Sequence, residues 1–221
     1  MRQQLVILAI GAGIFLFFVF FSYLVNEDFF TQLDFNTTVR LQDNLPRRVD
    51  PYFSWFSLFG NFEVMLVILV ILLILFRKLW GGLVAFFLFA GFHFIELFGK
   101  VMVDHPPPPQ FMLRTEYPID FPQFYIRSES SYPSGHSGRT IFIAMLLGYL
   151  IYKSRLPIQI KIMLFGGLGG YAIIMLVSRI YLGEHWTTDV IGGALLGLSL
   201  SVVSIAFFQK ASHVSPKKTG V

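Results

Sequence analysis

Six long apolar segments determine what this chain can fold into. They lie at Leu5–Val25, Phe53–Phe76, Leu79–Val103, Ser137–Tyr152, Ile160–Leu182 and Thr187–Phe208. Because backbone N–H and C=O groups must be paired within lipid, each segment is expected to form its own α-helix. Only 14% of the 221 residues are charged, whereas soluble domains carry roughly a quarter. The sequence therefore predicts an all-α membrane protein, a six-transmembrane-helix bundle.

The apolar segments and the polar stretches between them divide the chain into four parts. We expect an anchor helix, an extracytoplasmic loop, a core of five transmembrane helices and a cytoplasmic tail, at residues 1–25, 26–52, 53–208 and 209–221. The core includes a second long loop at 104–133. Because FFSYLVNED at the end of the first segment offers no small-residue cleavage site, the anchor is expected to be retained. Gly60 and Asn61 are expected to interrupt the second apolar segment.

Basic residues indicate the side of the membrane on which each connection lies. The short connections and both chain ends carry Lys and Arg without acidic residues: Arg2, Arg77, Lys78, Lys153, Arg155, Lys161, Lys210, Lys217 and Lys218. Since short basic connections stay in the cytoplasm, we expect a multi-pass protein of the cell membrane with both termini cytoplasmic. The net charge of +4 is scattered beside apolar segments, which favours no nucleic-acid partner.

Three polar clusters stand at segment ends on the predicted outer side. The third segment ends in HFIELFGKVMVDH, which places His93, Glu96 and Lys100 on one helical face. The fourth segment follows YPSGHSGRT, residues 132–140, and the fifth ends in SRIYLGEHWTTD, residues 178–189. Three distant parts of the chain are therefore predicted to form one extracytoplasmic active site.

The side chains in these clusters suit a phosphoryl group. Lys100 and Arg179 carry permanent positive charge, and a guanidinium can bind two phosphate oxygens. Ser134, Gly135 and His136 stand at a predicted helix start, where free N–H groups and the helix dipole attract an anion. Glycine there allows close backbone approach.

A possible nucleophile lies in the third cluster. His185 and Asp189 are four residues apart, so we expect them on one helical turn, with the carboxylate holding one imidazole nitrogen protonated. The other nitrogen is then free to attack. Structural explanations stay open: Lys100 can extend to the membrane interface, and His93 with Glu96 can form a polar pair in the bundle. Function is favoured because charges at membrane level are costly.

Two of the clusters match a known family. YPSGHS and SRIYLGEHWTTD resemble the second and third signature motifs of the type 2 phosphatidic acid phosphatase superfamily. The first motif of that family is Lys, six residues, then Arg-Pro. Here Lys100 is followed by VMVDHP, and Pro107 takes the position of the arginine. We expect Arg139, or a loop arginine such as Arg127 or Arg114, to supply the missing charge.

The resemblance implies a membrane phosphatase that works through a phosphohistidine intermediate. It implies that His185 attacks phosphorus, that Asp189 orients its ring, and that His136 protonates the leaving oxygen. The expected phosphate-binding residues are Lys100, Arg179, Ser134, Gly135 and Arg139. We expect no cofactor and no metal, since the chain has no cysteine and no carboxylate cluster.

The expected substrate is a membrane lipid phosphate held at the bilayer surface. Polyprenyl diphosphate, phosphatidylglycerol phosphate and phosphatidic acid are all compatible with the motifs. Two alternatives stay open: a lipid phosphotransferase of the same family, and a non-catalytic protein that binds or transports a lipid phosphate. Polar groups gathered at one face favour an enzyme over a transporter, whose polar sites lie near mid-membrane. The sequence does not indicate an oligomeric state.

Overall fold

The computed structural model describes residues 2–76, 79–116 and 130–210. These residues form eight α-helices: α1 (Arg2–Asn26), α2 (Thr31–Asn44), α3 (Asp50–Ser57), α4 (Phe62–Phe76), α5 (Leu79–Met102), α6 (Gly135–Lys153), α7 (Ile158–Tyr181) and α8 (Thr187–Lys210). Short 3₁₀ turns lie at Arg47–Val49, Leu58–Gly60 and Gln110–Met112. The described part of the chain contains no β-strand, and the predicted all-α fold is confirmed.

Four of these helices are long and apolar enough to cross a membrane, namely α1, α5, α7 and α8. Arg47–Gly60 and Phe62–Ile74 meet at an angle of 49° and add a fifth crossing if they form one broken span. The break falls at Asn61, as the sequence predicts. Helix α6 is not apolar enough to qualify, since its first turn and a half reads GHSGRT. The chain is a multi-pass membrane protein, and six crossings remain a prediction.

The stretch at residues 26–52 is more ordered than the loop expected from its polar sequence. It contains α2 and leads into α3. Gln42 anchors helix α2 to two other parts of the chain. Its Nε2 donates to the carbonyl oxygens of Met112 and Tyr181, at 2.7 and 2.8 Å. Its residue Asp34 is buried and pairs with the start of α8. This polar helix is therefore part of the packed structure and not a free connection.

Helix α8 packs most extensively, against α1, α5 and α6. A Cβ on Gly193 would overlap the carbonyl oxygen of Ser134, and one on Gly197 would overlap the carbonyl oxygen of Gly138. On the opposite side, Oγ of Ser199 donates to the carbonyl oxygen of Gly11 at 2.9 Å. Small residues four apart let membrane helices approach closely. This spacing brings the start of α6 against the start of α8.

Two apolar clusters fill the interior. One is built around Phe89, Phe142 and Leu69, and the other around Phe92 and Leu196. Many large apolar side chains are instead exposed on the helix surfaces, among them Leu16, Phe17, Phe87, Ile162 and Ile173. A soluble monomer rarely exposes so much contiguous apolar surface, whereas lipid-facing helices do.

Candidate active site

The start of α6 lies where the YPSGHSGRT motif predicts. Ser134 precedes the helix, and its Oγ accepts a hydrogen bond from the backbone N of Ser137 at 3.5 Å, which is the geometry of an N-cap. The backbone N of Ser134 donates to the carbonyl oxygen of Asp189 at 2.9 Å. A Cβ on Gly135 would overlap Oε1 of Glu96. Hydrogen bonding and close packing thus join the start of α6 to α8 and α5.

His185 lies in the connection between α7 and α8. Its predicted place on a helical turn with Asp189 is wrong, because α8 begins only at Thr187. The Asp189 carboxylate reaches back across the helix start. Its Oδ2 accepts a hydrogen bond from the backbone N of Trp186 at 2.9 Å and lies 3.3 Å from Nδ1 of His185. Capping, and not helical spacing, brings the two side chains together.

A sharp turn after α7 places this connection. Gly183 has a φ of 69°, a conformation that favours glycine. A Cβ at this position would overlap the carbonyl oxygen of Met112. The backbone N of both Glu184 and His185 donates to the carbonyl oxygen of Arg179, each at 3.2 Å. The turn therefore folds His185 back over the end of α7.

The imidazole of His136 packs against the break between α3 and α4. Its Nε2 donates to Oδ1 of Asn61 at 2.8 Å, so Nε2 carries a proton in this arrangement. A Cβ on Gly60 would lie 2.8 Å from Cδ2 of the same ring. Nδ2 of Asn61 is buried and has no hydrogen-bond partner among the described residues. The interruption predicted from the sequence thus provides a wall and a hydrogen-bond acceptor for His136.

Two of the predicted phosphate-binding cations share one buried carboxylate. Oε2 of Glu96 lies 3.3 Å from Nη1 of Arg139 and 3.2 Å from Nδ1 of His93, and Oε1 lies 3.8 Å from Nζ of Lys100. Nε of Arg139 donates to the carbonyl oxygen of Gly60 at 3.1 Å. The structural pair of His93 and Glu96 is present, and it holds the two cations beside the start of α6.

The third predicted cation, Arg179, is almost completely buried and forms an ion pair with Glu184. Glu184 also accepts a hydrogen bond from Oγ1 of Thr115. Burial alone would raise the pKa of Glu184, but the charge of Arg179, the hydrogen bond from Thr115 and the charge of His185 together outweigh burial and hold that pKa below its usual value. Nε of Arg179 has no hydrogen-bond partner within the described part of the chain. A buried donor of this kind suits an anionic ligand.

These groups converge on His136. Burial lowers the pKa of its imidazole well below the usual value, and the positive charges of Arg179, Arg139, His185 and Lys100 lower it further. They come from α5, α6, the end of α7 and the α7–α8 connection, so helix ends distant in sequence form one cationic site with two imidazoles.

The sequence model of the PAP2 superfamily matches residues 78–213, more than half of the chain, including every residue of this site except Gly60 and Asn61. The chain belongs to the PAP2 superfamily. A curated relative, phosphatidylglycerophosphatase B of Bacillus subtilis (strain 168), is 30% identical over 144 residues. That match covers 64% of this chain and 65% of the relative, just under two thirds of its length.

Two crystal structures have the same fold. One is the transmembrane PAP2-type phosphatidylglycerolphosphate phosphatase of Bacillus subtilis, with a TM-score of 0.72 and 24% identity over 93% of this chain and 98% of that one. The other is LpxE of Aquifex aeolicus, with a TM-score of 0.58 and 24% identity over 78% of this chain and 94% of that one. The PAP2 fold therefore extends over nearly the whole chain.

Arg139 of α6 stays the candidate for the charge that the divergent first PAP2 motif lacks. Among the three arginines considered for the position taken by Pro107, Arg139 lies in the cationic site. Arg114 lies elsewhere, with its guanidinium 5.2 Å from the ring centre of Tyr181 and its Nη1 3.1 Å from the Tyr181 hydroxyl. Arg127 is outside the described residues.

Four side chains around the site were not assigned a role from the sequence: Asn61, His105, Asp34 and Glu184. Asn61 was recognised only as a helix interruption. His105 lies in the first PAP2 motif, two residues before Pro107, where the motif has no fixed histidine. Glu184 lies inside the third motif at an unspecified position. Asp34 comes from a polar stretch outside every motif, and nothing local in the sequence connects it to α8.

Proposed function

We propose that this protein is an integral membrane phosphatase that hydrolyses the phosphate or diphosphate head group of a lipid through a phosphohistidine intermediate. The observation that carries the proposal is the contact between Oδ2 of Asp189 and Nδ1 of His185, 3.3 Å long, within a cationic site. Because the carboxylate engages Nδ1, the other ring nitrogen, Nε2, is the one available to attack phosphorus.

In the first step, Nε2 of His185 forms a bond to phosphorus as the bond from phosphorus to the lipid oxygen breaks. Positive charge develops on the imidazole, and the Asp189 carboxylate stabilises it. His136 donates a proton to the departing oxygen as a general acid. Since Nε2 of His136 already donates to Asn61, the transferred proton is a second one on Nδ1, so His136 acts as an imidazolium, the form that the bound anionic head group favours.

The charge of the phosphoryl group is balanced by Lys100, Arg139 and Arg179. Nε of Arg179 has no hydrogen-bond partner among the residues that the structure describes and can donate to phosphate. The N–H groups at the start of α6, after Ser134 and Gly135, add fixed dipoles. All of these groups are held before substrate binds, by Glu96, Glu184 and the close helix packing. Preorganised donors are effective because they need no rearrangement during the reaction.

In the second step, water attacks the phosphohistidine. His136, which gave up its proton in the first step, accepts one from this water, and the bond between phosphorus and Nε2 of His185 breaks to release inorganic phosphate. No metal is required in this scheme, since the protein cations and N–H groups carry the balancing charge. Transfer to a second lipid in place of water would make the protein a phosphotransferase.

The substrate reaches the site from the bilayer. The site lies at the ends of apolar helices, so the head group can enter it while the hydrocarbon chains stay in lipid. The positive-inside rule puts this end outside the cytoplasm and both termini inside. Phosphatidylglycerol phosphate is the first substrate to try, because it is what the name of the Bacillus subtilis relative specifies. Polyprenyl diphosphate and phosphatidic acid complete the panel.

Phosphate release by the purified protein in detergent tests this function. We expect release from at least one of the three lipids in the presence of a chelator, and inhibition by vanadate. The variant His185→Gln should lose activity, whereas Arg155→Ala, which removes an exposed charge remote from the motifs, should keep it. Transfer of phosphate to an added lipid acceptor would favour the phosphotransferase. Activity that disappears in chelator and returns with a divalent ion would contradict the scheme.

A further inference from the structure

His105 lies between two buried carboxylates that come from opposite ends of the chain. Its Nδ1 is 2.8 Å from Oδ1 of Asp189, which is a hydrogen bond, and its Nε2 is 3.6 Å from Oδ2 of Asp34, which is an ion-pair distance. All three side chains are buried. Among the described residues no three His, Asp or Glu side chains could hold a metal ion. The imidazole is therefore what joins the two carboxylates.

The backbone around His105 is fixed. The backbone N and the Oγ of Ser131 both donate to the carbonyl oxygen of His105, at 2.9 and 3.2 Å. Nε1 of Trp186 donates to the carbonyl oxygen of Pro106 at 2.7 Å, and three more prolines follow. Since proline restricts the chain and the carbonyls are engaged, His105 has little freedom to leave the carboxylates.

Both carboxylates also bind the start of α8. Oδ1 of Asp34 accepts a hydrogen bond from the backbone N of Thr188 at 2.8 Å, and its Oδ2 accepts one from Oγ1 of the same residue at 2.6 Å. Asp189 binds the backbone N of Trp186. Carboxylates are favoured at a helix N-terminus, but two buried beside each other repel unless a cation lies between them.

His105 has the protonation state that this arrangement needs. Burial alone would lower the pKa of its imidazole, but the hydrogen bonds and charges of Asp189 and Asp34 outweigh burial and raise the pKa to about 9. Among the described residues Tyr132 also packs against it, with its ring centre 6.4 Å from that of His105. Because the pKa is raised, the bridge stabilises the fold fully below pH 6.5 and loses this effect as pH rises through about 9.

We propose that His105 is a positioning residue, which bridges Asp34 and Asp189 and fixes the orientation in which Asp189 supports His185. This inference rests on the proposed function. One carboxylate oxygen of Asp189 is committed to His105, so the other is aimed at Nδ1 of His185. The positive charge on His105 also keeps Asp189 ionised as the His185 ring becomes positive. Four side chains thus form a line from α2 to the nucleophile.

Kinetics of the protein with its best lipid substrate test whether His105 positions Asp189 and, through it, His185. His105→Gln is expected to lower kcat about 10- to 100-fold, the range seen when residues that orient metal ligands are replaced, with KM little changed because His105 does not touch substrate. Asp34→Asn should act in the same direction, and the double variant should be no worse than His105→Gln alone, since both changes break one bridge. Asp43→Asn removes the same charge from an exposed position of α2 and should change nothing.

Nitrogen-15 spectra of histidine-labelled protein give a readout that does not depend on turnover. One of the five histidines should keep both ring nitrogens protonated at pH 8, and this signal should be missing in His105→Gln. The His185 signal, assigned from His185→Gln, should move in Asp34→Asn but not in Asp43→Asn.

The outcomes separate the two claims. An unchanged kcat in His105→Gln, a change confined to KM, or independent additive losses in the double variant would overturn the bridge while leaving the phosphatase intact. A His185 signal that does not move in Asp34→Asn would also overturn the bridge. If the wild type released phosphate from no lipid, the proposed function would fail, and the spectra would still decide whether His105 positions Asp189.

Discussion

Replacing Arg139 with alanine tests whether this residue supplies the charge that the first PAP2 motif lacks. The guanidinium is buried, 3.3 Å from Glu96 and 3.1 Å from the carbonyl oxygen of Gly60. Breaking a buried ion pair costs about 3–5 kcal/mol when the partner is left alone. Here Glu96 keeps Lys100 at 3.8 Å and His93 at 3.2 Å, so we expect a smaller loss of about 1–3 kcal/mol in the free energy of unfolding.

The expected loss of activity is separate from this loss of stability. A hydrogen bond to a charged group contributes about 1.5–3 kcal/mol, so losing the Arg139 contact to phosphate should lower kcat/KM by roughly 10- to 100-fold. The assay is phosphate release at several lipid concentrations, with thermal unfolding measured in the same detergent. Arg155→Ala is the matched control, because it removes an exposed arginine between α6 and α7.

A second substitution separates folding from phosphate binding. In the double variant Arg139→Ala, Glu96→Gln the carboxylate that Arg139 neutralised is also gone, so much of the lost stability should return. Activity should stay low, because no guanidinium has been restored. If kcat/KM recovered together with stability, or if Arg139→Ala alone had wild-type kinetics, Arg139 would not be the missing phosphate-binding residue.

Two further predictions follow from the packing and the charges of the site. Gly197→Ala should destabilise the protein by about 1–3 kcal/mol, as overpacking does, and lower activity, because a Cβ there would overlap the carbonyl oxygen of Gly138. Gly167→Ala is the control, since nothing lies within 4 Å of the added Cβ. Equal melting temperatures for the two variants would contradict the close packing. Glu184→Gln removes the charge that holds Arg179 before substrate binds, so KM for the lipid phosphate should rise several-fold. A lower KM would show instead that Glu184 competes with phosphate for Arg179.

The sequence was sufficient to predict the parts of this protein that depend on local pattern. The apolar segments gave the long helices, and the helix start at Gly135 follows from a serine cap before an apolar run. The interruption at Asn61 follows from Gly-Asn inside an apolar segment. The His185–Asp189 contact was expected on helical spacing and is present for a different reason, since Asp189 reaches back across the start of α8.

What the sequence did not show depends on contacts between distant residues. Helix α2 is polar and looks like a solvent-exposed connection, yet Asp34 pairs with Thr188, 154 residues away. His105 occupies a stretch of prolines, where no helical or strand period indicates which way a side chain points. That Glu96 would hold Arg139 depended on how α5 packs against α6. Such pairings are fixed by tertiary packing, for which a single sequence carries no local signal.

The most direct test of the account is to trap phosphate on His185. A phosphate ester labelled with ³²P and carrying a p-nitrophenyl leaving group needs no proton donor, so in a His136→Ala background the first step should proceed while the water step is slow. A phosphohistidine at residue 185 should appear as a protein-bound label that is stable in alkali, labile in acid and missing when His185→Gln is added. A label that persisted without His185, or wild-type turnover in the His185→Gln variant, would contradict it.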